Sequence, residues 1–313
     1  MNILETAKRV FLVEKEALQG VCNRLDSNFE GAALRLYTCS GRIVVCGMGK
    51  SGLIGKKIAA TFASIGRPAI FMHPSEAIHG DLGMLMPGDC FLSISNSGET
   101  DELLQLIPHI NRLLLPHICI CAVKNSTLAK HADFVLDIAV ENEASTLPAV
   151  PMASAIATLA MGHALAAVMI ELSGFRQEDF ALYHPGGSLG RKILTKTAEL
   201  MTKELPVISP NSNLREVISV MSKGVLGLAL CIENKELKGI ITDGDLRRAL
   251  EKSCDSEFFQ LNADAIMTKN PKSVNSSQSV LEAEELMNQY KISALAVLEN
   301  GQAVGVIAKH MIR

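Results

Sequence analysis

The sequence predicts an α/β protein: a five-stranded parallel sheet sandwiched by helices, followed by a tandem pair of smaller α+β units. Two observations carry this. Up to Gly190 the chain alternates short β-branched runs with helical segments, and over its last third it repeats itself at a constant offset of 66 residues. With 313 residues, 48% hydrophobic and 20% charged, there is material for two or three domains with sizeable cores.

The elements follow in order. Ile3 to Leu36 reads as helical and should pack on the sheet or on a partner subunit. Candidate strands are Arg42 to Cys46, Ala69 to Met72, Asp89 to Ser95, His117 to Ala122 and Phe134 to Ile138, separated by helices over Ser51 to Ile65 and Glu99 to Leu115. Such alternation implies parallel strands covered on both faces, with ligands at their carboxyl ends. Met152 to Leu172 is apolar enough to suggest a membrane span. Its Ser154, Thr158, Gly162, His163 and Glu171, its small residues and its lack of basic flanks favour a tightly packed core or interface helix instead.

The repeat is gapless. Met201-Thr202-Lys203 returns as Met267-Thr268-Lys269, Leu228-Ala229-Leu230 as Ala294-Leu295-Ala296, and Gly239-Ile240-Ile241 as Gly305-Val306-Ile307. Each copy reads as a lead-in turn (Pro206 to Pro210; Pro271 to Val274), an amphipathic helix (Leu214 to Lys223; Val280 to Tyr290) and two strands, the second being Gly239 to Thr242 or Val304 to Ala308. A helix and a hairpin cannot bury both faces alone, so the copies should pack together. The expected domains are 1–192, 198–255 and 263–313, with a boundary near Lys192 to Ala198.

A net charge of −3 without long basic runs excludes the electrostatic footprint of a nucleic-acid binder and leaves a small-molecule partner. The eight cysteines (Cys22, Cys39, Cys46, Cys90, Cys119, Cys121, Cys231 and Cys254) include no C-x-x-C, and Met1 to Val13 carries charges where a signal peptide would be apolar. We expect a reduced, cytoplasmic protein that neither enters a membrane nor binds nucleic acid.

Two turns carry chemistry. Ser95-Asn96-Ser97-Gly98-Glu99-Thr100 follows an apolar strand and precedes a helix, offering hydroxyls and helix-start amides of the kind a phosphate monoester needs. An ordinary N-cap is the alternative. Gly47-Met48-Gly49-Lys50-Ser51-Gly52 matches a dinucleotide fingerprint formally, but Met72 is followed by His73-Pro74, and no carboxylate closes that strand to hold a ribose. What survives is Gly49, Ser51 and backbone amides at a helix start, with Lys50 as a cation beside a bound anion. If the strands before these turns are neighbours, the turns converge.

Gly-Lys-Ser at the first turn and Ser-x-Ser-Gly-x-Thr at the second resemble the sugar isomerase (SIS) domain. The C-terminal pair resembles CBS repeats, and the combination is similar to the arabinose 5-phosphate isomerase family of the KdsD/KpsF/GutQ type. Further motifs that carry the resemblance are Ala59-Ala60-Thr61-Phe62-Ala63-Ser64, His79-Gly80-Asp81-Leu82-Gly83-Met84, His184-Pro185-Gly186-Gly187 and Thr242-Asp243-Gly244-Asp245-Leu246-Arg247-Arg248. The resemblance implies a cofactor-free aldose–ketose isomerase acting through a cis-enediol. It implies interconversion of arabinose 5-phosphate and ribulose 5-phosphate, supplying Kdo for lipopolysaccharide or capsule, and a homotetramer with sites shared between subunits.

Carried over, the catalytic positions are Lys50, Glu102, Glu143 and His184. Glu143 is assigned as the proton-shuttling base and His184 as the ring-opening acid/base. Lys50 stabilises the oxyanion or the phosphate, and Glu102 orients Lys50. Glu102 has an alternative as a charge complementing a helix start, and His184 as part of a structural turn. Ser95, Asn96, Ser97, Gly98, Thr100 and His79 join Gly49 and Ser51 in the substrate site. The spacing of His73, Glu76, His79 and Asp81 fits no standard zinc pattern; the resemblance implies a divalent metal at His79 as an inhibitor. His109, His117, His131 and His163 read as ordinary surface or buried histidines.

Departures from the family pattern bear on substrate. Ala149-Val150-Pro151-Met152-Ala153-Ser154-Ala155-Ile156 stands where the family carries a hydroxyl-rich segment, Ser75 replaces a glycine and His163 an aspartate. Another phosphosugar, or a silent phosphosugar sensor regulated by the CBS pair, are the competing readings; retention of all four catalytic positions disfavours the sensor. In the first CBS copy Thr242 and Asp245 have the spacing that holds a ribose, whereas the second has Ala308, Lys309, His310 and Met311. A nucleotide or sugar-nucleotide site should depend on Asp245, with the second half incomplete; the alternative is that both copies serve oligomer packing alone.

Overall fold

The computed structural model describes residues 2–147, 149–224, 226–253 and 258–312, and Cys254 lies outside them. The chain divides into two compact units, Met1–Tyr183 and His184–Arg313.

The first unit opens with two helices, α1 (Ile3–Asn23) and α2 (Ser27–Tyr37), rather than one continuous helix. Asp26 separates them, because its extended backbone and its carboxylate, which accepts the Asn28 amide at 2.9 Å, start a new helix. The strands are β1 (Ile43–Gly47), β2 (Ala69–Met72), β3 (Cys90–Ile94), β4 (His117–Cys121) and β5 (Phe134–Asp137), all parallel in the order β2-β1-β3-β4-β5. β1, β3 and β4 are buried end to end, which is why they read as unbroken apolar runs; β2 and β5 at the edges are partly exposed.

Side chains leave the sheet alternately. Ile43 and Val45 join one core with α1, α2, α3 (Gly49–Ser64) and α8 (Ala153–Ser173); Val44 and Cys46 join the other with α4 (Pro74–Ile78), α5 (Asp101–Leu104), α6 (Ile107–Arg112) and α7 (Thr127–Lys130). The helix expected over Glu99 to Leu115 is split in two. Pro108 lacks the N–H that a helix interior requires and suits only a first turn, so α6 starts afresh there. The sequence reading also passed over α4 and the 3-10 turn Asp81–Met84.

Helix α8 is long and apolar enough to cross a membrane, yet half of it is buried against α1, α2 and α3. Gly162 makes this packing close. A Cβ there would stand 2.5 Å from two atoms of the Ile58 side chain on α3.

The second unit begins earlier than the boundary expected near Lys192 to Ala198. Helix Ser188–Leu194 packs on helix Val280–Tyr290, with Lys192 and Glu284 paired at 2.7 Å, and so groups with the repeats. The first repeat holds strands Val207–Ile208, Leu228–Glu233 and Glu236–Thr242 around helix Leu214–Gly224; the second holds Ser273–Asn275, Ala294–Glu299 and Gln302–Ala308 around helix Val280–Tyr290. Both lead-in turns thus contain short strands. Duplication extends to fine detail, since Cys231/Ile232 and Val297/Leu298 carry the same irregularity and Asn234-Lys235 and Asn300-Gly301 make the same left-handed turn.

The repeats pack together as expected. Leu228, Leu230 and Ile240 share one core with Ala296 and Val306. The Met-Thr-Lys segment ahead of each lead-in turn also crosses to the other repeat: Thr268 pairs with Ile240, and Thr202 bridges to Val306. Gly239 and Gly305 leave room for this exchange. A Cβ at either would meet the sulfur of Met267 at 2.4 Å or of Met201 at 2.3 Å.

Lys235 adopts φ +68 where its counterpart is Gly301 at φ +80. A Cβ in that region costs about 1 kcal/mol or more, partly offset by the larger unfolded-state entropy of glycine. Lys235→Gly should therefore stabilise the second unit by about 0.5 kcal/mol, read as a raised denaturation midpoint with unchanged activity; a lowered midpoint contradicts the turn assignment.

Candidate active site

The winding of the sheet reverses between β1 and β3. The chain leaves β1 for β2 on one side and then returns to place β3 on the other, with Gly47 opposite Ile94 in parallel register. The crevice outside the carboxyl ends of these two strands is the natural ligand position of such a sheet. Both turns singled out from the sequence open onto it.

The first turn is shaped by close backbone approach. A Cβ on Gly47 would lie 3.1 Å from the Ile94 carbonyl oxygen, and one on Gly52 would lie 2.4 Å from the Gly47 oxygen. Gly49, at φ +56, starts α3 through the left-handed region. The Met48 cap supplies no side-chain acceptor, so the first-turn amides of Gly49, Lys50 and Ser51 are left uncapped. Lys50 is exposed, and among the described residues no ion pair or hydrogen bond holds its ammonium; Ser51 is half-buried.

The second turn is braced from within. Ser95 is buried, sharing a 2.8 Å hydrogen bond with the Thr100 hydroxyl and accepting the Gly98 amide at 3.0 Å. The Ser97 hydroxyl accepts the Glu99 amide at 3.2 Å, and the Asn96 carbonyl accepts the Ala122 amide at 3.0 Å. Ser95 therefore builds the turn, while the side chains of Asn96 and Ser97 face solvent and that of Thr100 is half-exposed. Sequence reasoning missed the support behind it. Glu99 accepts the Thr127 amide at 2.7 Å, and the Gly98 carbonyl accepts the Leu128 amide at 3.1 Å. A Cβ on Gly98, whose φ is +66, would lie 2.0 Å from the Ser126 hydroxyl oxygen.

Glu102 lies in the first turn of α5, half-exposed. The expected pairing with Lys50 is not seen: among the described residues no ion pair joins them, each projecting from its own helix start. Glu143 caps α8. Its Oε2 accepts the Met152 and Ala153 amides, each at 2.7 Å, and its Oε1 accepts the Ser154 amide at 3.3 Å and the Ser154 hydroxyl. Burial pushes this carboxyl's pKa up, but the Ser154 hydroxyl and the three amides outweigh it and hold the group below the ordinary carboxylate value. The first amides of α8 are thus satisfied by the Glu143 carboxylate.

His184 opens the second unit. Its carbonyl accepts the Gly187 amide at 3.1 Å, and a Cβ on Gly190 would lie 2.1 Å from that carbonyl oxygen, so His184-Pro185-Gly186-Gly187 is a tight turn into the next helix. His79 is exposed at the end of α4. Among the described residues no group of three or more His, Cys, Asp and Glu side chains is placed to hold a metal, and His79 stands outside any such group. His73, between β2 and α4, has a buried Nδ1 with no hydrogen-bond partner among the described residues. His117 is an ordinary buried histidine at the amino end of β4, bonded to Ser93 at 2.8 Å; burial pushes its pKa down to about 4 and keeps it neutral.

In the second unit Asp245 is 7% exposed and fully engaged. It accepts the Thr242 amide at 2.8 Å, the Thr242 hydroxyl at 2.6 Å, the Thr268 hydroxyl at 3.1 Å and the Arg248 guanidinium at 2.5 Å. A cleft of about 820 Å³ beside it is lined by Thr242, Asp243 and Arg248 and by Lys272, Lys291 and Lys309. The second copy, expected to be incomplete, supplies most of the cleft's cations.

The SIS domain model matches residues 36–168, and the CBS domain model matches residues 198–252 and 263–313. Over 313 residues the chain is 43% identical to arabinose 5-phosphate isomerase KdsD of Yersinia pestis, spanning 99% of this chain and 95% of that one. It is 41% identical over 309 residues to KdsD of Escherichia coli strain K12, spanning 98% and 94%. A solved structure from E. coli CFT073, in complex with arabinose 5-phosphate, is 39% identical with a TM-score of 0.57, covering 59% of this chain and 100% of that chain. With an SIS domain, two CBS domains and this identity over nearly its whole length, the chain belongs to the arabinose 5-phosphate isomerase family.

Proposed function

We propose that the protein interconverts D-arabinose 5-phosphate and D-ribulose 5-phosphate through a cis-enediol, supplying Kdo synthesis. The observation that carries this reading is the pair of turns at the β1/β3 reversal, one with an unpaired Lys50 and uncapped amides, the other with exposed Asn96 and Ser97. The phosphate sits against Ser97, Thr100 and the helix starts, where backbone donors and helix dipoles favour an anion. Lys50 stabilises the phosphate or the enediolate oxygen. His184 opens the sugar ring, and Glu143 takes the proton from the carbon beside the carbonyl and returns it to the neighbouring carbon. Glu102, free of an ion pair, stands as a second carboxylate at the crevice. No cofactor enters the reaction.

The active assembly is a homotetramer. Support comes from α1, whose Ile3 and Phe11 are 73% and 75% exposed and whose Phe11 and Leu18 line a groove with Ile156 of α8, an apolar surface suited to a second copy. The CBS cleft takes an anionic nucleotide or sugar nucleotide; Lys272, Lys291 and Lys309 support this, and Thr242 and Asp245 line the same cleft. The seven described cysteines are free thiols, in keeping with a cytoplasmic enzyme.

Incubating the protein with ribulose 5-phosphate in deuterated water should give arabinose 5-phosphate, followed by NMR, with deuterium at C2 to the extent that the proton on Glu143 exchanges with solvent; failure to form arabinose 5-phosphate overturns the enzyme reading. Lys50→Ala should lower kcat/KM by about 100-fold or more with the fold intact by circular dichroism. Gly98→Ala forces a Cβ into the Ser126 hydroxyl in a left-handed conformation. It should destabilise the protein by about 2 kcal/mol and raise KM for the phosphosugar; a wild-type KM would remove this turn from the phosphate site.

A further inference from the structure

We propose that Ser154 is a positioning residue of the isomerisation, orienting the Glu143 carboxylate through its hydroxyl; this rests on the reading of Glu143 as the proton-shuttling base. Glu143 reaches α8 from the loop after β5, and Met152 at the cap position supplies no side-chain bond. The amides of Met152, Ala153 and Ser154 would be offered by any sequence that keeps the helix. Of residues 152–155 at the helix start, Ser154 alone carries a side-chain donor, and that donor is directed at Glu143 Oε1.

Ser154 is itself held in place. It is 4% exposed, and its carbonyl accepts the Thr158 hydroxyl at 2.8 Å. A rotatable hydroxyl suits a group that changes protonation state. It donates to the carboxylate, and by turning about its C–O bond it can accept from the carboxylic acid formed when Glu143 takes the substrate proton. The hydroxyl is also the foremost of the bonds that lower the Glu143 pKa against burial, keeping the group ionised before each turnover. A carboxylate clamped on both oxygens is a weakened base, and its fixed aim compensates: a misplacement of about 1 Å can cost about 100-fold in rate.

The test measures kcat and KM for ribulose 5-phosphate against pH in Ser154→Ala, Ser154→Thr and Glu143→Gln of the full chain. Loss of the hydroxyl removes a bond to the charged form, so the Glu143 pKa rises and the acid limb of kcat moves to higher pH. Ser154→Ala should lower kcat about 10- to 100-fold with KM within about two-fold, and Ser154→Thr should restore both rate and acid limb. If Ser154→Ala does not fold, Ser154→Cys, with a weaker donor of similar shape, replaces it. Wild-type kcat and acid limb in the Ala or Cys variant, with Glu143→Gln inactive, overturn the role of Ser154 alone. Wild-type turnover in Glu143→Gln overturns the underlying assignment of Glu143.

Discussion

Parallel pairing of β1 with β3 places Gly47 opposite Ile94, and the rest of the first unit depends on this register. Because β2 lies on the far side of β1, the helix that follows β1 covers one face of the sheet and the helices that follow β3 cover the other. The starts of α3 and α5 therefore diverge from a common crevice that neither helix covers. The uncapped first-turn amides of α3 are the backbone donors offered on this side of the sheet. Gly47 is what permits the approach, since a side chain at that position would press on the Ile94 carbonyl.

Three carboxylates of the first unit divide into two kinds. Glu99 and Glu143 satisfy the starts of α7 and α8, and such bonds to backbone amides lower proton affinity while fixing position. Glu102 has no comparable set of donors. The second turn shows the same division among its polar side chains: Ser95 holds the loop from inside, and Ser97 and Asn96 face outward. Donors fixed before the ligand arrives need little rearrangement when charge develops, and the internal bonds of both loops supply that rigidity.

What the sequence disclosed follows from the range of each interaction. Central strands were legible because a strand buried on both faces must be apolar throughout, as Val44, Val45 and Cys46 are. The repeat was legible down to the shared helix and hairpin because both copies solve the same packing problem. The break before Pro108 and the split at Asp26 carry local signals, a proline and a capping carboxylate, that the helical periodicity masked. Glu143 at the α8 start, Glu99 on Thr127 and Ser126 behind Gly98 left no such trace. Each joins segments separated by a loop or a strand, and only the folded chain brings them into contact. The Thr242–Asp245 spacing is equally that of a capping box, and Thr268, from the other repeat, adds a bond to Asp245 that the spacing could not disclose.

The second unit shows how duplication with small changes creates chemical preference. At equivalent positions of the two repeats, the Thr242 amide is accepted by Asp245 and the Ala308 amide by the Met311 sulfur at 3.4 Å. Backbone geometry is thereby preserved while a charge is deleted. Asp245 retains Arg248 as its counterion, so the first repeat largely neutralises itself. In the second repeat Lys309, at the position equivalent to Asp243, donates to the neutral Asn288 side chain at 2.6 Å, and Lys272 lies over the Tyr290 ring at 4.4 Å. Neither partner carries an opposing formal charge. The lysines that line the cleft thus all come from the second repeat, while Asp245 of the first is paired with Arg248.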